Sequence, residues 1–440
     1  MRKLVLYAWI AFLAAASGAL AGDLKAGVAR VDLTPPLEMK ATLGGYGARM
    51  SKPAVGVHDR VFAKALVLSD GPDRFALVTA DVLGFPPGFK DAVLGALRDS
   101  GWKAERLLLM ASHSHTSIDM SALHTRNVLG IPQIGSFHKK VFDWTVARLA
   151  KVVTDAGKDL SPVRVGTASV ALQGWNRNRR SGSTACDPEL TVTRIDTSGG
   201  QPLAVLVNWT AHPTFMAPED MMFSGDYPGH LQRTVEALIG QGVTVMFYNG
   251  AQGDQSPVAR PDSGGNWEKA ERYGRELGIR VWREWEKVRP ASAPTMACSI
   301  QEIPLPPHAW HRAFMKTGGR EYGLSEALAA KMLGLLFPEK THSISLRVGD
   351  LVIVGIPGEM TAGLGLSLKS KVRAATGAAH VTIGGLADEW VSYILSAEEY
   401  RAGGYEASVS FYGETLGQVI LDGALRGASR LNSSTAKPRE

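Results

Sequence analysis

His113 and His115, in "ASHSHTS", stand two residues apart just after an apolar run that starts at Leu107. On an extended chain, side chains two apart leave the same face, so both rings can address one point. Such a pair can share a metal, or one ring can bind while the other handles a proton. A bland hydrogen-bonded pair is the alternative. His212, in "NWTAHPT", follows another apolar run, and Pro213 would end that strand whatever the histidine does. Glu359 follows Pro357-Gly358, where a carboxylate completes a His/His/Glu zinc site, acts as a general base, or caps a helix. Ser256, in "GAQGDQSP", lies in a run of turn formers, as a nucleophile, a substrate anchor or a turn serine. Tyr393, Tyr400, Tyr405 and Tyr412 crowd one late segment, where packing alone would account for clustered aromatics.

Apolar, β-branched runs precede most of these groups. They begin at Arg74, Arg106, Pro202, Val243 and Leu351, and each ends in small or polar residues. Near-continuous apolar runs suit strands buried on both faces. Helical periodicity is predicted at about 87–99, 137–156, 226–239, 266–288 and 324–335. The alternation predicts an α/β fold: mixed β-sheets covered by helices, in a single composite domain over 22–430. Its active site is expected at the carboxyl ends of the strands.

Composition narrows the function classes. With 45% hydrophobic and 20% charged residues, the chain is neither disordered, collagenous nor coiled-coil. Lys and Arg exceed Asp and Glu by six, but they are scattered, and no basic run with interleaved aromatics suggests nucleic acid. Two cysteines, Cys186 and Cys298, exclude a Cys-rich zinc site, leaving histidine and oxygen as metal ligands. Their separation says nothing about whether they pair. Arg2 and Lys3, the apolar run Leu4–Ala16 and Ala19-Leu20-Ala21 read as a signal peptide over 1–21, implying export to periplasm or medium. The run is too short for a comfortable membrane span. The polar end, 431–440, is expected to be a disordered tail.

Taken in order, the segments resemble the neutral/alkaline non-lysosomal ceramidases. The blocks are "AGVARVDLTPP", "GVHDRVFAKALVL", "LLMASHSHTS", "VNWTAHPTFM" with "FSGDYPGHLQRTVE", "GAQGDQSP", "VIVGIPGEMTAGLG" and "YILSAEEYRAGGYEAS". They are collinear from about residue 25 to 415. The resemblance implies one zinc ion held by His113, His212, Glu359 and Tyr393, with His115 beside it as proton donor or acceptor. It also implies that Tyr405 and an arginine of "GWNRNRR", best matched by Arg177, orient the scissile amide, and that Ser256 is the family's essential serine. The implied activity is hydrolysis of the N-acyl amide of ceramide or a related lipid. That makes the partner a lipid-like small molecule, at a membrane surface in one reading; oligomeric state is left open. Three departures from the family's pattern stand out, of which two, the stretch after the second histidine and the expected absence of the C-terminal domain, bear directly on substrate. "TSIDMSALH" replaces the family's Gly-Pro-Gly-Gly stretch after the second histidine, and Val258 replaces an asparagine. No counterpart of the family's C-terminal immunoglobulin-like domain precedes the end of the chain. A zinc hydrolase of another amide or ester, and a non-catalytic binding protein on the same scaffold, are the competing expectations.

Overall fold

The computed structural model describes residues 24–432, apart from positions 72, 241, 263 and 293. The signal-peptide reading of 1–21 lies outside the described residues, as does most of the tail reading. Leu431, at the start of that expected tail, is fully buried against the core, so packing extends past residue 430.

The apolar runs form strands Arg74–Ala80, Leu107–Ala111, Pro202–Trp209, Thr244–Asn249 and Leu351–Gly355. The largest sheet has eight strands. In spatial order they are Thr244–Asn249, Pro202–Trp209, Glu189–Thr197, Ser161–Ala171, Lys25–Asp32, Phe62–Ser69, Arg74–Ala80 and Leu107–Ala111. In the strand ladder its halves pair only at Lys25 with Pro162 and Ala26 with Ser161, while side chains of both halves share one core. A second sheet has four strands, in the order Met296–Pro304, Lys340–Val348, Leu351–Gly355 and His380–Gly384.

Alternation along each strand builds the layers. Leu108 and Met110 join Leu77, Leu206 and Met246 in packing against Ile344, Leu346 and Ile353, which puts the two sheets face to face. Their neighbours Leu107 and Leu109 turn outward, with Val78, onto the helix Lys139–Ala156. Val205, Val207 and Phe247 turn outward onto helices Asp226–Ile239 and Asn266–Lys287. Val352, Val354, Val381 and Ile383 turn away from the large sheet onto helices Ala362–Thr376 and Leu416–Ser429. The order is helix, sheet, sheet, helix.

The pair Asp226–Ile239 and Asn266–Lys287 shows how sequence sets spacing. The second helix buries Ala270, Tyr273, Gly274, Leu277, Gly278 and Val281, a stripe at helical period. A Cβ on Gly274 would stand 2.5 Å from the Tyr227 carbonyl, so only glycine admits this approach.

Candidate metal centre and active site

Parallel pairing of Arg74–Ala80 with Leu107–Ala111, Pro202–Trp209 with Thr244–Asn249, and Leu351–Gly355 with His380–Gly384 directs the carboxyl ends of both sheets into one crevice. Asn249, buried at one such end, ties the histidine loops together. Its amide donates to Ser112 O (3.3 Å) and Ala211 O (3.1 Å), and its Oδ1 accepts from Ala211 N–H (3.3 Å). His113 has φ 69°, a left-handed conformation that side chains rarely adopt. Bonds at both ends hold it there: its N–H reaches Val82 O (3.1 Å) and its Nδ1 reaches Leu83 O (2.5 Å).

The proton positions identify the centre. His113 Nδ1 faces Leu83 O, and His212 Nδ1 faces Gln252 O at 3.0 Å, so both Nδ1 atoms carry protons. In the neutral rings both Nε2 atoms are therefore bare lone pairs, yet they stand 3.0 Å apart. Glu359 Oε2 lies 3.4 Å from one and 3.2 Å from the other. That oxygen is buried with no hydrogen-bond donor, while Oε1 accepts from Trp390 Nε1 at 2.8 Å. Three lone pairs with no proton among them converge on one point, and this donor set fits a cation such as zinc. Burial and the Arg179 charge lower the His212 pKa to about 4, which keeps its ring neutral as ligation requires.

His115 completes the cluster. Its Nε2 is 3.4 Å from His113 Nε2, and its Nδ1 is buried without a partner against Gly45. A Cβ at Gly45, where φ is +90°, would fall 2.2 Å from that Nδ1. Burial, then the neighbouring His113 and His212, push the His115 pKa well below the ordinary imidazole value. Glu359 and Tyr393 are paired across a short parallel ladder, Glu359–Met360 with Tyr393–Ile394. Tyr393 is buried, and its ring meets that of Tyr405 edge-on, with centroids 5.9 Å apart.

The structure thus gathers His113, His115, His212, Glu359, Tyr393 and Tyr405 about one crevice. It does not bring Arg177 there. Arg177 is exposed, opposite Ser256 on the ladder Asn176–Asn178 with Gln255–Pro257, and lines neither cavity at the cluster. The arginine that arrives is Arg179, whose Nη2 donates to Tyr393 Oη (3.0 Å) and Gly253 O (2.8 Å). Its Nε donates to Glu406 Oε1 at 2.8 Å. The three arginines of "GWNRNRR" are alike as residue types. What selects Arg179 is the buried Glu406 carboxylate and the end of the ladder at Asn178, neither of which is local in sequence. Ser256 is half-buried and also lines neither cavity. Its neighbour Gln255 instead supplies the carbonyl that accepts His212 N–H (2.9 Å).

Sequence reasoning also missed Trp390 and Asn249. The only signal for either was its place, Trp390 in the tyrosine-rich segment and Asn249 at the end of an apolar run.

Cavities open on two sides of the cluster. One, of about 180 Å³, is lined mainly by apolar groups, among them Leu83, Met120, Met332, Leu336, Phe337 and Trp390. The other, of about 640 Å³, is walled by Arg179, Arg180, Thr214, Glu321 and Glu406. His115, Tyr393 and Tyr405 border both.

A family model described as neutral/alkaline non-lysosomal ceramidase, N-terminal, matches residues 24–263 and 335–420. The neutral ceramidase of Pseudomonas aeruginosa is 24% identical, over 96% of this chain and 75% of that one. That of Mycobacterium tuberculosis is 22% identical, over 84% and 71%. The crystal structure of the Pseudomonas aeruginosa enzyme superposes with a TM-score of 0.79 at 20% identity, covering 95% of this chain and 75% of that one. A ceramidase complexed with C2 superposes at 0.78, also at 20% identity, covering 94% and 76%. The expected α/β architecture is therefore that of a known fold, and the chain belongs to the neutral/alkaline non-lysosomal ceramidase family.

Proposed function

We propose that the protein is an exported, zinc-dependent hydrolase that cleaves the N-acyl amide bond of ceramide or a related lipid. The observation that carries this reading is the meeting of His113 Nε2, His212 Nε2 and Glu359 Oε2 with no proton among them. Tyr393, across the ladder from Glu359, is the fourth ligand in this reading. The bound ion supplies a Lewis acid and lowers the pKa of water from about 16 to about 7.

The chain's own residues do the rest. Backbone carbonyls of Leu83 and Gln252 fix the two ligand rings in the tautomer that leaves Nε2 free. Trp390 holds Glu359 by one oxygen and so presents the other. Tyr405 and Arg179 are donors placed to meet charge developing on the amide oxygen, a service worth a few kcal/mol for each donor. His115, kept neutral by burial beside the ligands, takes up a proton and returns it to the leaving amine. Neither Arg177 nor Ser256 has a role in this scheme. Export rests on the first 21 residues as read from the sequence, and the relatives named above support the amide substrate.

Zinc analysis of the purified protein, with hydrolysis of a fluorescent ceramide, tests the proposal. One zinc per chain and release of fatty acid are expected; folded protein that takes up no zinc would sink it.

A further inference from the structure

The two cavities differ in chemistry, and the difference bears on what the amide joins. The apolar one has polar wall residues, and several of them are engaged elsewhere. Arg49 donates to the carbonyls of Gly44, His115, Ala217, Pro218 and Asp220. His124 is bonded to Leu336 O (2.9 Å), and Asn127 donates to Gly135 O (3.3 Å). Most of what remains for a ligand is hydrocarbon: Leu83, Met120, Met332, Leu336, Phe337 and the Trp390 ring. A chain of methylenes fits such a wall, each buried group contributing about 0.8 kcal/mol.

The second cavity offers a different surface. Arg179 and Arg180 line it, but both are paired with the one carboxylate of Glu406, and Arg180 also donates to the carbonyls of Glu399 and Gly403, each at 2.8 Å. Among the described residues, no hydrogen bond or ion pair engages the carboxylate of Glu321, on the same wall. Tyr405, a residue of the cluster, lines the same cavity as that carboxylate. A second long hydrocarbon chain here would lie against the Arg–Glu406 network, on a wall whose polar share is larger than that of the first cavity. A hydroxylated or amine-bearing group would find there a solvent-exposed carboxylate that no protein group occupies. Glu321 also lies between the two stretches that the family model matches, alone among the residues of this wall.

From this we infer that the preferred substrate has one hydrocarbon chain, the acyl group, held in the apolar cavity. Its amine half is short and bears hydroxyl or amino groups held in the polar cavity, with Glu321 as the specificity-determining acceptor. The inference rests on the amidohydrolase reading above and narrows it. Hydrolysis releases that half as an ammonium ion, whose charge the Glu321 carboxylate matches.

The test compares two substrates on the zinc-loaded full chain: N-dodecanoyl serinol, and a ceramide with the same acyl chain on a long-chain sphingoid base, both in detergent micelles. The expected kcat/KM is about tenfold higher for the serinol amide. Glu321→Gln and Glu321→Leu should raise KM for the serinol amide about fivefold to tenfold, leave kcat within about twofold, and leave the ceramide values unchanged. Preference for the two-chain ceramide, or equal loss on both substrates, overturns the inference and leaves the amidohydrolase reading standing. Hydrolysis of neither substrate by zinc-loaded protein overturns the amidohydrolase reading instead.

Discussion

Among the described residues, two places bring two histidines and a carboxylate together, and one of them has the form of a metal centre. At His113, His212 and Glu359 each ring gives its Nδ1 proton to a backbone carbonyl, and three bare lone pairs are left facing one another. At His58, Asp59 and His230 the ligand-type atoms also lie within 4.8 Å. There, however, donors already claim the acceptors. Asp59 accepts from Ser224 Oγ (2.5 Å), Gly225 N–H (3.1 Å), Arg233 Nη2 (3.0 Å) and His58 Nδ1 (2.9 Å). Arg233 also donates to His230 Nδ1 (3.1 Å), so the proton of the neutral ring sits on Nε2, where a ligand needs a lone pair. Burial lowers the His230 pKa to about 4, so the ring stays neutral. The group is an ion network at the start of helix Asp226–Ile239. Residue types and distances are shared; proton placement separates the two.

The largest effect should come from exchanging one histidine at each place. His212→Ala should lose zinc and lower kcat/KM by about three orders of magnitude, while His230→Ala keeps one zinc per chain and activity within about twofold. Zinc content and turnover of the two variants check this, and zinc loss in the second would erase the distinction. Next, Trp390→Phe frees Glu359 Oε1 from its donor. Metal affinity should fall by about 10-fold to 100-fold with the fold intact, read by competition with a chelator. A smaller loss, about tenfold in kcat, is expected for Arg179→Ala, while Arg177→Ala stays within about twofold, since only Arg179 reaches Tyr393.

The smallest effect is on stability. Burial alone would raise the Asp59 pKa, but Arg233, Ser224 and His58 outweigh it and hold the carboxyl below its ordinary value. Its folded-state pKa is depressed, so its contribution is present above the unfolded value near 4 and fades as pH falls through the folded one. Asp59→Asn should therefore cost about 1–2 kcal/mol at pH 7, and the loss should shrink as pH drops below about 4. Thermal unfolding followed from pH 7 to about 3 would show it; a pH-independent difference would contradict the assignment.

The comparison also explains what could be read in advance. The strands at Arg74, Arg106, Pro202, Val243 and Leu351 are legible because burial on both faces leaves an unbroken apolar run. His113, His212 and Glu359 are legible because each follows such a run within a few residues, whereas Tyr393 is named only through the resemblance to the family. Choosing Arg179 over Arg177 is not legible: the choice lies with Glu406, more than two hundred positions away, and with where a three-residue ladder stops. Trp390 was equally hidden, because its work consists of one hydrogen bond to a residue 31 positions earlier. The chemistry-bearing types announce themselves locally, whereas the groups that orient them are selected by tertiary contact.

The short ladder at the centre of the eight-stranded sheet has a consequence for stability. His113 follows the edge strand of one half, His212 follows a strand of the other, and Glu359 belongs to the segment leaving the second sheet. An ion held by all three acts as a clasp across parts of the chain that the backbone ladder joins through two residue pairs. In the zinc reading, a bound ion would stabilise the state in which both halves and the second sheet are docked, and removing it should lower the unfolding temperature of the whole molecule together.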